Sequence, residues 1–328
     1  MLSSKEGLIL LSGTTSVTAF ASLAIYDAQT LSLTADIAGS FTLEVLKGTL
    51  MAMDERLMAV RPHPDQINTA ANIRAILKDS PMLERCRGHR VQDALSIRCM
   101  PQLHGPVKKA VKDAQATLAI ELNSSVDNPL IFDEEDGGAV ALMGCNADGT
   151  YAGMASDNLC IAITDLCKMS NSRIDRLLNS LVSELPAFLN KNADFNNGLM
   201  MIQYASAGLQ GELRILAHPA VVDNLTTCAN QEDYVNMGYN AAKKAYDSMH
   251  LAKYILAAEL ICDGQALDCY EDKRCAKGTQ AIYDLLRSKV PEMDNDMPLT
   301  PYLEAVAQQI IDRAYIRTVE ASVGALKF

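Results

Sequence analysis

Residues 241–260 read AAKKAYDSMHLAKYILAAEL, and within them Ala242, Tyr246, Met249, Ala252, Leu256 and Leu260 recur at spacings of three and four. A helix turns once every 3.6 residues, so this spacing sets the six side chains along one helical face and predicts a long helix over 235–262. The pattern recurs elsewhere. Leu43, Leu46, Leu50, Met53 and Leu57 predict a helix over 42–58 that stops near Arg61-Pro62-His63-Pro64. Val107, Val111, Ala114, Leu118 and Leu122 predict another, opening after Gly105 with Pro106 in its first turn, where a missing N–H costs nothing. Thr300-Pro301 marks the start of a last helix. One stretch reads differently: Leu130-Ile131-Phe132 and residues 139–143 flank a Gly-Gly turn and predict a small hairpin. Strands and helices do not alternate, which excludes a doubly wound sheet. The expected fold class is all-α: a single domain over 1–328 of long antiparallel helices with one short β-hairpin and irregular, motif-bearing loops.

A chain of 328 residues buries roughly 75% of its unfolded surface, so its core needs no metal or disulfide support. Trp is absent, aromatics are 5% and Met reaches 15 residues, a composition that favours helix over strand. The net charge of −11 argues against nucleic acid as a partner, because phosphate binding requires a Lys/Arg stripe. Nine cysteines contain no CxxC pair. They read as reduced cytosolic thiols, with Cys86, Cys99, Cys145 and Cys160 buried or semi-buried. His63, His89, His104, His218 and His250 are too dispersed for a metal site. Charge interrupts every apolar run well before ~18 residues, so no membrane span is expected and the location reads as cytoplasmic. Met1 stands only a few residues before the apolar segment Gly7–Leu11, so upstream material is expected to belong with the fold.

Four polar, irregular segments lie between the helices, where function concentrates. They are Lys5-Glu6-Gly7 through Ser12-Gly13-Thr14; Gln92-Asp93-Ala94-Leu95-Ser96-Ile97-Arg98 with Pro101-Gln102; Glu121 through Ser125 with Asp127-Asn128-Pro129; and His218-Pro219-Ala220 through Asn230-Gln231-Glu232-Asp233. Leu185–Leu189 and Asn196–Met200 add two more. In this order the six resemble the histidine and phenylalanine ammonia-lyase family over nearly the whole chain. The Asn-Gln-Glu-Asp stretch is closest to the histidine type.

The resemblance implies a mostly helical fold, commonly a homotetramer, with active sites assembled from several subunits. It also implies elimination of ammonia from an α-amino acid to give an α,β-unsaturated acid. The family's electrophile is a methylidene-imidazolone (MIO), formed when an Ala-Ser-Gly tripeptide cyclises upstream of the Lys-Glu-Gly segment. No Ala-Ser-Gly occurs in these 328 residues. No cofactor is therefore expected from this chain itself, and the MIO group is expected from a partner chain in a homo- or hetero-oligomer.

By the same resemblance Arg98 grips the substrate carboxylate, a task suited to a planar guanidinium. Gln92 helps position the substrate, and Glu232, read as partly buried, exchanges protons with it. The alternatives are a structural ion pair for Arg98 and a helix first-turn carboxylate for Glu232. Met200 falls where histidine-type members carry a pocket Met, with core filling as its alternative. Departures from the pattern matter as much. Ser12 replaces the usual Asn facing the electrophile, and Leu95 replaces a Tyr, so one proton-handling group is gone. After Gly144-Cys145-Asn146, Ala147 and Asp148 replace a Phe-His pair; Ala147 widens the pocket and Asp148 adds charge suited to a cation. Three functions stay open: a split lyase, a catalytically silent scaffold, and an aminomutase subunit.

Overall fold

The computed structural model describes residues 1–192 and 195–328. Its elements run α1 (Glu6–Ser12), α2 (Thr15–Val45), α3 (Glu55–Ala59), α4 (Pro64–Ile76), α5 (Pro81–Arg85), α6 (Leu95–Arg98) and α7 (Met100–Glu121), then β1 (Leu130–Asp133) and β2 (Ala139–Leu142). There follow α8 (Thr150–Leu178), α9 (Ser180–Ser183), α10 (Met200–Leu216), α11 (Gly238–Asp268), α12 (Lys277–Arg287), α13 (Thr300–Ile311) and α14 (Ala314–Val323). The fold is mainly α, and the one sheet among the described residues is the expected hairpin, antiparallel with Phe132 paired to Val140. No single helix there is long and apolar enough to cross a membrane.

Contacts divide the chain into two compact units. The first comprises Met1–Tyr26, Ala110–Ile161 and Leu216–Ser248; the second comprises Asp27–Lys109, Ala162–Ile215 and Met249–Phe328. In the first, Phe20 packs against the rings of Tyr239 and Tyr246 with centroids 5.7 and 5.6 Å apart. Lys244 on α11 pairs with Asp157 on α8 at 2.5 Å and donates to the carbonyls of Leu216 and His218. A Cβ on Gly153 would stand 2.9 Å from the Gly238 Cα, so α8 meets the start of α11 at a distance only glycine permits.

The second unit is built around buried charge. Arg173 and Glu259 are both fully buried, and the guanidinium forks onto the carboxylate at 2.5 and 3.0 Å. Ser170 donates to the same carboxylate at 2.5 Å. Thr42 Oγ1 lies 2.9 Å from Glu259 and 2.7 Å from Asp263. A hydroxyl has one proton to give, so the second contact is satisfied only by a carboxyl that keeps its own. Asp263 is that carboxyl: burial, with the neighbouring Glu259 charge, pushes its pKa well above the ordinary value.

A second cluster centres on Asp36, which accepts from His104 Nδ1 at 2.8 Å, Lys108 at 2.5 Å and Asn72 at 2.8 Å. Burial alone would raise the Asp36 pKa, but Lys108 and His104 outweigh it and hold the carboxyl below its usual range. For His104 burial dominates and lowers the pKa. The neutral ring then directs Nδ1–H at Asp36 and leaves Nε2, buried without a partner, as a lone pair.

The periodic faces predicted from sequence are buried where they fall on helices. Met249, Ala252, Leu256 and Leu260 are fully buried, and Val107, Val111, Ala114 and Leu118 nearly so. Several boundaries differ. The helix expected over 42–58 ends at Val45, because Lys47 turns left-handed (φ 57°). Gly48 N–H and Lys47 N–H then close back on the Leu43 and Glu44 carbonyls at 2.9 and 3.0 Å, a capping turn that stops a helix. Leu57 is 52% exposed, outside the face it was grouped with. α7 begins at Met100, so Pro106 lies inside the helix instead of in its first turn. Gly105 before it meets the Gln66 backbone, which a Cβ would approach to 2.7 Å. The last helix is two, α13 and α14, separated at a left-handed Arg313 (φ 58°). Cys145 is exposed, not semi-buried, while Cys160 is buried with its thiol pushed up to about 11 by desolvation.

Breaking a buried ion pair leaves the survivor charged without compensation. Arg173→Met is expected to lower stability by about 3–5 kcal/mol, and Asp263→Asn, which keeps a neutral polar group, by under about 1.5 kcal/mol, in urea unfolding at pH 7. The folded chain also holds the Asp263 proton above pH 3.8, where an unfolded Asp has lost it. The native state therefore binds more protons, and its stability falls as pH rises past that value. Asp263→Asn removes this slope, and an unchanged slope in the variant would show that Asp263 is ionised.

Candidate functional site

Five of the nine site residues singled out from sequence lie in the first unit, and its loops hold three of the six motif segments together with the 144–148 stretch. Ser12 ends α1, exposed, with its hydroxyl donating to the Leu8 carbonyl at 2.9 Å. A Cβ on the adjacent Gly13 would come within 2.9 Å of the Val126 carbonyl, so the Ser12 turn lies directly on the 123–129 segment. Lys5 strengthens that contact through Asp127 at 2.7 Å and the Pro129 carbonyl. Asn146 is exposed and donates to the Ser125 carbonyl at 3.4 Å, and Asn128 accepts from Gly144 N–H at 2.9 Å. The Asn128–Pro129 peptide is cis.

Asp148 joins this group to the loop that carries Glu232. One of its oxygens accepts from the Thr150 N–H at the start of α8, and the other accepts from Asn236 Nδ2, each at 2.9 Å. Asn236 in turn accepts from the Gly238 N–H at the start of α11 at 2.8 Å. Two helix N-termini are thus satisfied through one carboxylate and one amide. Burial works to raise the Asp148 pKa, but the hydrogen bonds from Thr150 and Asn236 outweigh it and hold the carboxyl low. The charge that the sequence suggested for a cation is occupied in capping. Ala147 beside it is half-buried.

Glu232 is exposed, where the sequence reading expected partial burial. It is not in a helix: it pairs with Thr227 as an isolated bridge across the turn at Cys228–Asn230, and Thr227 Oγ1 donates to its carboxylate at 2.9 Å. The first-turn alternative for this Glu is therefore excluded. Asn224 closes the loop, accepting from Val235 N–H at 2.8 Å and donating to the Asp233 carbonyl at 3.0 Å. Tyr234 OH lies 3.2 Å from Thr150 Oγ1.

The other four residues, Gln92, Leu95, Arg98 and Met200, belong to the second unit. Gln92 and Leu95 are exposed, and Arg98 and Met200 are half-buried. The short helix α6 is fixed from below, where the buried Arg173 donates to the Ser96 carbonyl at 3.2 Å. Asp93 anchors its approach by accepting from Thr49 N–H at 2.8 Å. Burial raises the Asp93 pKa, opposed by the hydrogen bond from Thr49 and by Arg90, Arg176 and Arg98.

Three buried polar atoms in this ten-residue stretch have no hydrogen-bond partner: Asp93 Oδ1, Arg98 Nε and Gln102 Oε1. Among the described residues Arg98 forms no ion pair, though its charge acts on Asp93. Buried polar atoms are nearly always satisfied, so a cluster of open ones marks a place where something else completes the structure. Met200 starts α10 behind a loop that Asp296 clamps through the N–H groups of Asn197 and Gly198, at 2.9–3.0 Å. Among the described residues no hydrogen bond joins that loop to α6. Asp93 and its bond to Thr49 went unassigned in the sequence, where the only signal was its place beside Gln92.

The family profile for aromatic amino acid lyases matches residues 1–288. The chain is 41% identical over 327 residues to histidine ammonia-lyase 2 of Fusobacterium nucleatum, covering 99% of this chain and 64% of that protein. It is 40% identical over 326 residues to the histidine ammonia-lyase of Symbiobacterium thermophilum, with the same coverage. Among solved structures, histidine ammonia-lyase from Trypanosoma cruzi superimposes with a TM-score of 0.89 at 33% identity, over 98% of this chain and 61% of that one. A tyrosine aminomutase from Streptomyces globisporus gives 0.91 at 28% identity, over 99% and 66%. The chain thus spans about 64% of the length of the curated relatives it matches. With its helical fold, its motif loops in family order and a profile match over most of its length, the chain belongs to the aromatic amino acid lyase family.

Proposed function

We propose that this chain is a subunit, or the carboxy-terminal part, of an ammonia-lyase-like enzyme that eliminates ammonia from an α-amino acid to leave an α,β-unsaturated acid. The observation that carries the reading is the open polar cluster on the Gln92–Gln102 stretch. Arg98 Nε is buried without a partner, and a guanidinium in that state fits an incoming carboxylate. The identity to histidine ammonia-lyases supports the reaction class.

The family's MIO group forms from Ala-Ser-Gly, which these 328 residues do not contain. The residues of this chain can face such a group but cannot make it, so it is assigned to residues outside this chain. When bound, the group supplies the electrophile that turns an amine into a leaving group. This chain contributes the rest. Arg98 binds the carboxylate and Gln92 orients the substrate with a donor and an acceptor that carry no charge. Glu232, exposed beside Thr227, takes up or returns a proton. Leu95 can do neither, and Ser12 offers one hydroxyl whose proton is directed to its own helix. The chain is proposed to act in the cytoplasm within a homo- or hetero-oligomer that includes a chain carrying Ala-Ser-Gly. The likeness to tyrosine aminomutase favours, as a second reading, an aminomutase subunit with the same division of labour. The losses at Ser12, Leu95 and Ala147 favour, as a third, a silent scaffold.

Arg98→Ala is expected to weaken binding of amino-acid carboxylates at least tenfold, since a charge-assisted pair contributes about 1.5–3 kcal/mol. Unchanged affinity in calorimetry would remove Arg98 from the site. The purified chain alone is expected to release no ammonia from histidine, phenylalanine or tyrosine in a coupled assay. Adding a chain that carries Ala-Ser-Gly restores turnover, and Glu232→Gln then lowers it on the order of 10²–10⁴-fold. Turnover by the chain alone overturns the assignment of the electrophile to another chain, and silence with every such partner favours the scaffold.

A further inference from the structure

The second unit contains a cavity of about 680 Å³ between residues 47–51 and 77–90, next to the candidate site through Thr49, whose N–H donates to Asp93. Three of its lining side chains, Lys47, His89 and Arg90, converge on the carboxylate of Glu184 at 3.1, 2.9 and 3.0 Å. Lys47 and Arg90 meet at Glu184, and the further carboxylate that Arg90 acts on, Asp93, is shared with Arg176 and Arg98, so cations outnumber carboxylates even before His89 is counted. The three side chains keep only 20–33% of their surface exposed, where an unbalanced charge acts more strongly than in open water. The cavity's own carboxylates do not cancel it. Glu84 is held by Arg87 at 2.5 Å, and Asp79 is exposed to solvent.

The backbone around the cavity is held in a conformation that side chains resist. Lys47, Asp79 and Glu184 have φ of 57°, 55° and 62°. At Lys47 and Glu184 this conformation ends the preceding helix, which sets where each side chain leaves the backbone. Leu50 and Leu83 give the same cavity an apolar wall.

We propose that this cavity is an anion-binding site that takes a small molecule bearing a phosphate group. The donors are an ammonium, an imidazole and a guanidinium on three separate residues, which suits an acceptor with three or four oxygens. A two-oxygen acceptor is already present as Glu184, whose carboxyl is held below its usual range by hydrogen bonds from His89 and Lys47. A phosphate adds charge where Glu184 leaves a surplus, and the apolar wall receives the organic remainder. Arg98 does not line the cavity, so this proposal and the ammonia-lyase reading are tested through different residues.

Inorganic phosphate titrated into the full chain by calorimetry, against chloride at equal ionic strength, tests this. Saturable binding is expected, weakened at least tenfold by Lys47→Ala and by Arg90→Ala and unchanged by Arg98→Ala. Glu184→Gln, which keeps all three donors and removes their competitor, is expected to tighten phosphate several-fold, and it keeps the test decisive if an alanine variant fails to fold. Absence of saturable heat, tighter binding of acetate than of phosphate, or phosphate affinity unaffected or weakened by Glu184→Gln would each overturn the proposal.

Discussion

The fork between Arg173 and Glu259 is the constraint on which the second unit depends. Both side chains are removed from water, and desolvating two ions is unfavourable unless their geometry and remaining hydrogen bonds are complete. Thr42 from α2, Ser170 from α8 and Asp263 from α11 complete them. Three long helices must therefore keep their register to within a hydrogen bond. The remaining arm of Arg173 reaches the Ser96 carbonyl, so the same buried cation fixes the short helix that presents Arg98. The core and the short helix α6 are positioned by one side chain.

Asp148 has the corresponding place in the first unit. By capping α8 directly and α11 through Asn236, it holds the Glu232 loop against the 123–129 and 144–148 segments. A substitution that looks like a change of substrate chemistry, charge in place of a ring, is accommodated as a change of scaffold. Leu95 differs in kind, because an exposed leucine has no hydrogen bond to fulfil with its side chain.

Helices of the α11 type were legible because burial imposes the helical period on side-chain choice, and the α11 apolar face is buried as that period requires. The hairpin was legible from its Gly-Gly turn. The stops were not. Nothing in the order of residues around Lys47 announces a left-handed residue, since lysine has no preference for it; Gly48 and the carbonyls of the preceding turn impose it. Pro106 reads as a helix start and lies within one, because Gly105 must pack on the backbone at Gln66. The loops of the candidate site were found through their resemblance to a family, and that resemblance could not show that Glu232 lies exposed beside Thr227.

By itself the sequence determined the helical class, the hairpin, the family and the absence of an Ala-Ser-Gly tripeptide, since each is a property of local order: a period, a turn, a motif or its lack. Tertiary structure alone decided which charges are buried. Arg173, Lys108 and Asp36 look in sequence like any surface residue, and their burial follows from partners 36 to 86 residues away. It also decided that Asp263 keeps its proton, that Asp148 caps helices, and that Lys47, His89 and Arg90 meet at one carboxylate. The physical reason is common to all of these. A charge takes its state from the dielectric and the donors around it, and those are set by distant segments that only the folded chain brings together.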